Sequence, residues 1–164
     1  MLDLNYWQQR AAHQTFIENA LIAGQPVACA SGATFEVINP ATNQRLACVA
    51  ACGEDEVNLA VRSARQAFEE GTWAHMAPVE RKKILIRLSE LLLANREELA
   101  LLDSLSMGKP VMDAYNIDVP GAASVFAWYG EALDKLYDQV APTARNALAT
   151  ITREALGEVG AVVP

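Results

Sequence analysis

The hydrophobic positions in the first fifty residues form short runs that are separated by turn signals. Residues 6–21 have a helix-forming composition, and the stretch LIAGQPVAC that follows reads as a strand broken by a Gly-Gln-Pro turn. Two further strand-like runs, residues 35–38 and 46–49, flank a turn rich in Pro, Thr and Asn. This arrangement predicts a β-hairpin near the start of the chain.

After residue 50 the hydrophobic period changes from two to about 3.6, which is the repeat of an α-helix. Three acidic residues, Glu54, Asp55 and Glu56, stand where the positive end of the helix dipole favours them. The apolar stripe of this first long helix comprises Val57, Ala60, Val61, Ala64 and Phe68.

Two more helical stripes follow. Pro78 can open the second helix, and Asn95 predicts a stop or bend before Gly108 and Pro110 end the element. Its buried face is Ile84, Leu85, Leu88, Leu91 and Leu92, continued by Leu99 and Leu102. We expect a break at Pro120 and then a third helix. Its stripe is Ala122, Val125, Phe126, Tyr129, Ala132, Leu133 and Leu136.

From Gln139 onward β-type residues return, and the order of hairpin, helices and strands predicts an α+β or α/β fold. The last segment, GEVGAVVP, reads as the first buried strand of a sheet. Such a strand needs neighbours on both faces. It either pairs with earlier strands or marks the start of a second domain.

Composition excludes several classes of function. The chain has 164 residues, is 52% hydrophobic and carries a net charge of −7, which argues against nucleic acid or an anionic membrane as partner. No apolar run approaches the roughly 20 residues of a membrane span, and the polar start resembles no targeting signal. Three cysteines, an odd number, suit a reducing compartment, so we expect a cytoplasmic protein.

Few residues are candidates for chemistry. Cys52 precedes a helix N-terminus, which lowers a thiol pKa, but its acidic neighbours oppose a thiolate. It is therefore either a nucleophile or a small residue in a turn, whereas Cys29 and Cys48 are expected in the core. His13 and His75 have no partner at metal-ligand spacing.

Five carboxylates near the Gly108 break are expected to lie on solvated helix faces: Glu97, Glu98, Asp103, Asp113 and Asp118. The terminal glycines lack the preceding strand and the G-x-G start of a dinucleotide-binding motif. The residues alone therefore predict an α/β-type segment without a complete active site.

Several motifs resemble the NAD(P)-dependent aldehyde dehydrogenase superfamily, in the correct order along the chain. They are TFEVINPATNQRLACVA, VERKKILIRLSELLLANREELALLDSLSMGKPV, AWYGEALDKLYDQVAPT and REALGEVGAVVP. YWQQRA and DVPGAASVFAWYGEALDKLYDQV look closest to the γ-glutamyl-γ-aminobutyraldehyde dehydrogenases of putrescine catabolism.

The resemblance implies an aldehyde dehydrogenase-like N-terminal part with three regions. Residues 1–137 would form the hairpin and helical part of the cofactor-binding region, and residues 138–156 the oligomerisation strands. Residues 157–164 would begin a truncated Rossmann-like domain. In the family, the W-N-F-P motif and the catalytic residues follow later, so no catalytic residue is expected in this chain, which looks like the first third of such an enzyme.

The activity that the resemblance implies is oxidation of an aldehyde to the carboxylic acid with NAD or NADP. A cysteine attacks the aldehyde to give a thiohemiacetal, hydride passes to the cofactor, and activated water frees the acid. The implied assembly is a homo-oligomer, a dimer or tetramer. The alternative is a truncated, non-catalytic oligomerising or regulatory module.

Site residues follow from the same resemblance. Val162, Val163 and Pro164 would approach the cofactor. The carbonyls of Val37 and Ile38, with Ser106, would hold a monovalent cation. Many family members have an aspartate at the position of Ser106, and a hydroxyl brings no charge, which weakens the expected site.

The substrate tunnel is implied to pass Ile117 and Gly121, which are seven and eleven residues beyond Pro110. Because Gly121 has no side chain and Pro120 bends the backbone, the tunnel should accept extended ω-amino or γ-glutamyl-amino aldehydes. The alternative is that Gly121 only permits a turn at Pro120.

Three further positions depart from the family pattern. The family usually has proline at the position of Ala155 and an apolar residue at the position of Glu158, which would be costly to bury unpaired. Asn43 replaces a turn glycine, a conservative change because Asn tolerates left-handed backbone geometry.

Overall fold

The computed structural model describes residues 3–163. The first helix, α1 (Leu4–Ala12), begins where the Asp3 carboxylate accepts a hydrogen bond of 2.9 Å from the Tyr6 N–H. It ends well before residue 21, so the helix expected over residues 6–21 is wrong in its second half. There the backbone is held by a strand instead, since the Ala50 N–H donates to the Glu18 carbonyl at 2.7 Å.

Two antiparallel hairpins follow α1: the second is the predicted one, and the first stands where we expected a strand broken by a Gly-Gln-Pro turn, with Gln25 and Pro26 in a strand and not in the turn. Strands β1 (Ala20–Ile22) and β2 (Gln25–Val27) meet at a turn in which Ala23 and Gly24 have positive φ. Strands β3 (Thr34–Asn39) and β4 (Gln44–Ala50) pair with an irregularity between Val37 and Ile38. Asn43 has φ of 55°, which confirms its left-handed role.

The long helices begin and end at the signals in the sequence. Helix α2 (Glu54–Glu70) ends at Gly71, α3 (Pro78–Ala94) begins with its proline, and α4 (Arg96–Met107) ends at Gly108. Both glycines adopt left-handed φ, 70° and 76° respectively, which closes a helix without strain. Asn95 separates α3 from α4, which confirms the predicted stop.

The next helix runs without a break from residue 111 to residue 135. It consists of α5 (Val111–Asp113), a π turn (Ala114–Asp118), α6 (Val119–Ala132) and a 3₁₀ turn (Leu133–Lys135). The break expected at Pro120 is therefore wrong. The Val119 N–H donates to the Ala114 carbonyl, five residues back, and this wider turn accommodates a proline that lacks an N–H.

The core lies where α4 meets the π turn and where α3 packs along α6. Ala100, Ala114 and Val119 are buried together, with Leu99, Val111 and Tyr115 packed against them. Gly130 permits the close approach of α3, because an added Cβ would stand 3.2 Å from the Cβ of Leu85. Lys82 and Glu131 join the same two helices through an ion pair of 2.7 Å.

The C-terminal part contains one hairpin and an unpaired tail. Strands β5 (Gln139–Ala141) and β6 (Ala149–Ile151) are antiparallel, and residues 152–163 join no sheet. The expected strand over residues 159–163 therefore forms no ladder here, because no strand among residues 3–163 lies beside it. The mixed α/β class is confirmed. No helix in the described range is long and apolar enough to cross a membrane.

Candidate functional site

Ile117 and Gly121 lie on the continuous helix, at the π turn and in the first part of α6. The Ile117 side chain is 64% exposed, and a Cβ added to Gly121 would meet no atom within 4 Å. Gly121 has ordinary helical backbone geometry, and the chain makes no turn at Pro120. The alternative role for Gly121, that it permits a turn, is therefore wrong.

An aromatic cluster supports the π turn from the side of α1 and α4. The Arg96 guanidinium stacks over the Tyr115 ring at 3.8 Å. Trp7, which is buried, packs edge-on against the same ring with centroids 5.8 Å apart. Sequence reasoning missed all three residues, because α1 and the π turn are over a hundred positions apart and no local pattern joins them.

Two acidic groups near Gly108 have partners, contrary to the expectation of solvated faces. Glu97 accepts a hydrogen bond from the Tyr6 hydroxyl, which raises the pKa of Tyr6. Asp118 forms an ion pair with Lys109, and this contact is the main reason that the pKa of Lys109 is raised. Lys109 belongs to the Gly-Lys-Pro loop, so this pair ties that loop to the end of the π turn.

The two elements that carry the residues expected to hold a cation, α4 and β3, are in contact in the fold. The end of α4 lies against the end of β3, since a Cβ on Gly108 would stand 2.9 Å from Cγ of Pro40. The Ser106 hydroxyl donates to the Leu102 carbonyl of its own helix at 2.8 Å. The described residues contain no group of three His, Cys, Asp or Glu side chains that could hold a metal.

The residues expected near the cofactor form no pocket in the described part of the chain. Val162 and Val163 are fully or largely exposed, and Pro164 lies outside the described residues. Glu158 is not buried unpaired, because it forms an ion pair of 2.7 Å with Arg65. Residues 152–163 therefore provide no cradle for a dinucleotide by themselves.

Cys52 does not have the environment of a nucleophile. Its thiol is exposed, yet local desolvation, the Glu56 carboxylate and Cys29 together raise its pKa. Cys29 is buried as expected and donates to the Ala51 carbonyl at 3.1 Å, while Cys48 is half-buried. Glu56 was missed as a structural residue, although its place three positions after Gly53 is the position of the glutamate in a capping box.

Residues 27–164 match the family model described as Aldehyde dehydrogenase family. Because this match covers most of the chain, the chain belongs to the aldehyde dehydrogenase family. The resemblance seen in the sequence motifs is thus confirmed, and so is the aldehyde dehydrogenase-like N-terminal fold.

Three relatives illustrate the similarity. The NADP/NAD-dependent aldehyde dehydrogenase PuuC of Escherichia coli (strain K12) is 40% identical over 161 residues, which are 98% of this chain and 32% of PuuC. The structure of P. syringae AldA indole-3-acetaldehyde dehydrogenase, a mutant in complex with NAD+ and IAA, has a TM-score of 0.90 and 47% identity. The match covers 92% of this chain and 30% of that one.

The third relative is the γ-glutamyl-γ-aminobutyraldehyde dehydrogenase structure from Burkholderia cenocepacia J2315, with a TM-score of 0.83 and 42% identity. The match covers 85% of this chain and 28% of the relative. The chain therefore spans about a third of the length of the proteins it matches.

Proposed function

We propose that this chain is the N-terminal third of an aldehyde dehydrogenase that oxidises an aldehyde to the carboxylic acid with NAD or NADP. The full-length protein that contains it is called the parent below. The observation that carries the proposal is the match of 98% of the chain to a third of an NADP/NAD-dependent enzyme. The chain alone is proposed to be inactive, because its exposed thiol, Cys52, has a raised pKa and the residues expected near the cofactor, Val162 and Val163, are exposed.

The proposed substrate is an extended ω-amino or γ-glutamyl-amino aldehyde, which would place the parent in putrescine catabolism. Two observations support this choice. The helix presents open space at Gly121, where any side chain would narrow a tunnel. A relative at 42% identity is a γ-glutamyl-γ-aminobutyraldehyde dehydrogenase.

The parent is proposed to be a cytoplasmic homo-oligomer, a dimer or tetramer, with a monovalent cation held by Val37, Ile38 and Ser106. The β5–β6 hairpin supports oligomerisation, since Val140, Leu148 and Ile151 are all more than half exposed. The same hairpin favours the second candidate function, in which the chain alone acts as a non-catalytic oligomerising or regulatory module.

Sequencing of the intact gene, followed by an activity assay, separates the two functions. The intact gene and the mass of the purified protein show whether a reading frame with Trp-Asn-Phe-Pro follows the chain. The parent is then assayed for NADH and NADPH formation with γ-glutamyl-γ-aminobutyraldehyde and with acetaldehyde. Turnover of the long aldehyde supports the proposal. A gene that ends at Pro164, together with a discrete oligomer of the chain in sedimentation, would favour the module.

A further inference from the structure

The backbone carbonyl of Tyr115 lacks both of the helical donors available to it by position. In an α-helix it would accept from the N–H of residue 119, but the Val119 N–H donates to the Ala114 carbonyl instead. In a π-helix it would accept from residue 120, which is a proline without an N–H. A carbonyl left unpaired in a half-buried site is costly, so this group needs a donor from elsewhere.

Arg96, at the start of α4, supplies that donor. Its Nε donates to the Tyr115 carbonyl, and its Nη2 donates to Oδ1 of Asn116 at 3.2 Å. The guanidinium also stacks on the Tyr115 ring, 3.8 Å from the ring centroid. One charged side chain thus makes three contacts with two successive residues of the π turn, and charge-assisted hydrogen bonds of this kind are among the stronger ones.

The segment that Arg96 holds is the one that carries the proposed tunnel residues. Ile117 lies inside the π turn, and Gly121 follows Pro120 directly. Lys109 fixes the far end of the same turn through Asp118. A shift of the π turn would therefore change the direction in which Ile117 points and the space at Gly121.

We propose that Arg96 is a positioning residue for the wall of the substrate tunnel. It replaces the N–H that Pro120 lacks, and so holds Ile117 and Gly121 where an extended aldehyde fits beside them. This inference rests on the proposed function, because the two residues line a tunnel only in an aldehyde dehydrogenase. Arg96 acts through Tyr115 and Asn116 and not by contact with the substrate.

The test removes the Arg96 donor and restores the backbone N–H that is missing at residue 120. Arg96→Ala removes the side-chain donor, and Pro120→Ala returns a backbone N–H at the position from which a π-type bond to Tyr115 can form. The parent, both single variants and the double variant are assayed with γ-glutamyl-γ-aminobutyraldehyde and with acetaldehyde. Arg87→Ala is the matched control, because Arg87 is exposed on α3 and its ion pair within residues 3–163 is with the nearby Glu90.

We expect Arg96→Ala to lower kcat/KM for the long aldehyde about tenfold, mainly through KM, with a much smaller loss for acetaldehyde. Adding Pro120→Ala should recover most of that loss, so the two substitutions are strongly non-additive. Amide exchange over residues 115–121 should accelerate in Arg96→Ala and slow again in the double variant. Arg87→Ala should change neither readout.

Equal losses for both aldehydes, or additive effects without rescue, would overturn this inference and leave the proposed function standing. A parent that oxidises no aldehyde would overturn the proposed function and the specificity role with it. If Arg96→Ala does not fold, Arg96→Lys serves in its place. Lysine keeps the positive charge and can donate to the Tyr115 carbonyl, but it lacks the second nitrogen that donates to Asn116. We therefore expect a smaller loss of kcat/KM, confined to the long aldehyde. An unchanged preference in Arg96→Lys would then overturn the inference.

Discussion

The Glu56 carboxylate accepts a hydrogen bond of 2.9 Å from the backbone N–H of Ala30, which lies 26 residues earlier in the chain. The other carboxylate oxygen accepts from the Gly53 N–H at 2.8 Å. One buried side chain thus joins the segment after β2 to the first turn of α2. These hydrogen bonds lower the pKa of Glu56, and the bond from the Ala30 N–H has the larger effect.

Replacing Glu56 by Gln should loosen both attachments. Glutamine offers one oxygen and turns an NH₂ group toward the second N–H, so one donor is left facing another. We expect faster amide exchange at Ala30 and Gly53 in Glu56→Gln, measured site by site. Glu54→Gln is the control, since Glu54 is exposed in the same turn. Unchanged protection at both amides would show that the carboxylate does not hold this junction.

The pH dependence of the same junction follows from the direction of the shift. Because the folded-state pKa of Glu56 lies below its ordinary value of 4.5, its contribution to stability is complete above that pH. The contribution is lost as pH falls through the folded-state pKa. The difference in urea midpoint between wild type and Glu56→Gln should therefore stay constant above pH 4.5 and shrink as the pH falls below it. Parallel curves would contradict the assignment.

Gly130→Ala should destabilise the pairing of α3 with α6. The added Cβ would stand 3.2 Å from the Cβ of Leu85, 3.3 Å from Cδ1 of Ile86 and 3.4 Å from the Lys82 carbonyl oxygen. Overpacking of this kind costs about 1–3 kcal/mol. Gly121→Ala is the matched control, because its Cβ meets open space and a helical Ala gains about 0.5–1 kcal/mol over Gly. Urea unfolding that ranks the two variants the other way would refute the close approach.

Gly121→Met should narrow the proposed tunnel in the parent. We expect kcat/KM to fall more for γ-glutamyl-γ-aminobutyraldehyde than for acetaldehyde. The methionine side chain would occupy space that the long aldehyde needs, whereas the short aldehyde could still reach the reaction centre. Lost complementarity of a few methylenes is worth about 1–3 kcal/mol. Ala122→Met places the same side chain about 100° further round the helix and serves as control. An equal loss for both aldehydes would show that Gly121 does not line the tunnel.

The 164-residue chain alone should not oxidise aldehydes. Cys52 is the one exposed cysteine, and its raised pKa leaves it a poor nucleophile. The assay is NADH formation by the chain and by its Cys52→Ala variant. Turnover that survives Cys52→Ala would contradict the prediction, and turnover that disappears in this variant would identify Cys52 as a nucleophile after all.

Local signals predicted much of the fold. Gly108, Pro78 and Asn95 end or begin helices where their backbone preferences require it, and the β3–β4 hairpin follows its turn signals. The predicted helix extends too far because Glu18 is bonded to β4 and residues 20–22 pair with β2. Pro120 was read as a break because a π turn has no sequence signature of its own.

The candidate site was less predictable than the fold. Ile117 and Gly121 came from a family resemblance, and the structure adds that one is exposed and the other borders open space. Arg96 and Tyr115 are 19 residues apart, and their contact depends on how α4 folds back on the next helix. Contacts of that kind are fixed by packing, so they could not be predicted from periodicity.

The π turn at residues 114–118 affects how the side chains of the following helix, α6, are oriented around its axis. An insertion of one residue in a helix advances the following side chains by about 100°. The π turn absorbs one extra residue, so Gly130 still faces Leu85, whereas an insertion in the regular helix α6 would swing Gly130 away from Leu85 and bring a larger side chain against α3. Chain length between Val119 and Gly130 is therefore under a stricter constraint than chain length within the π turn.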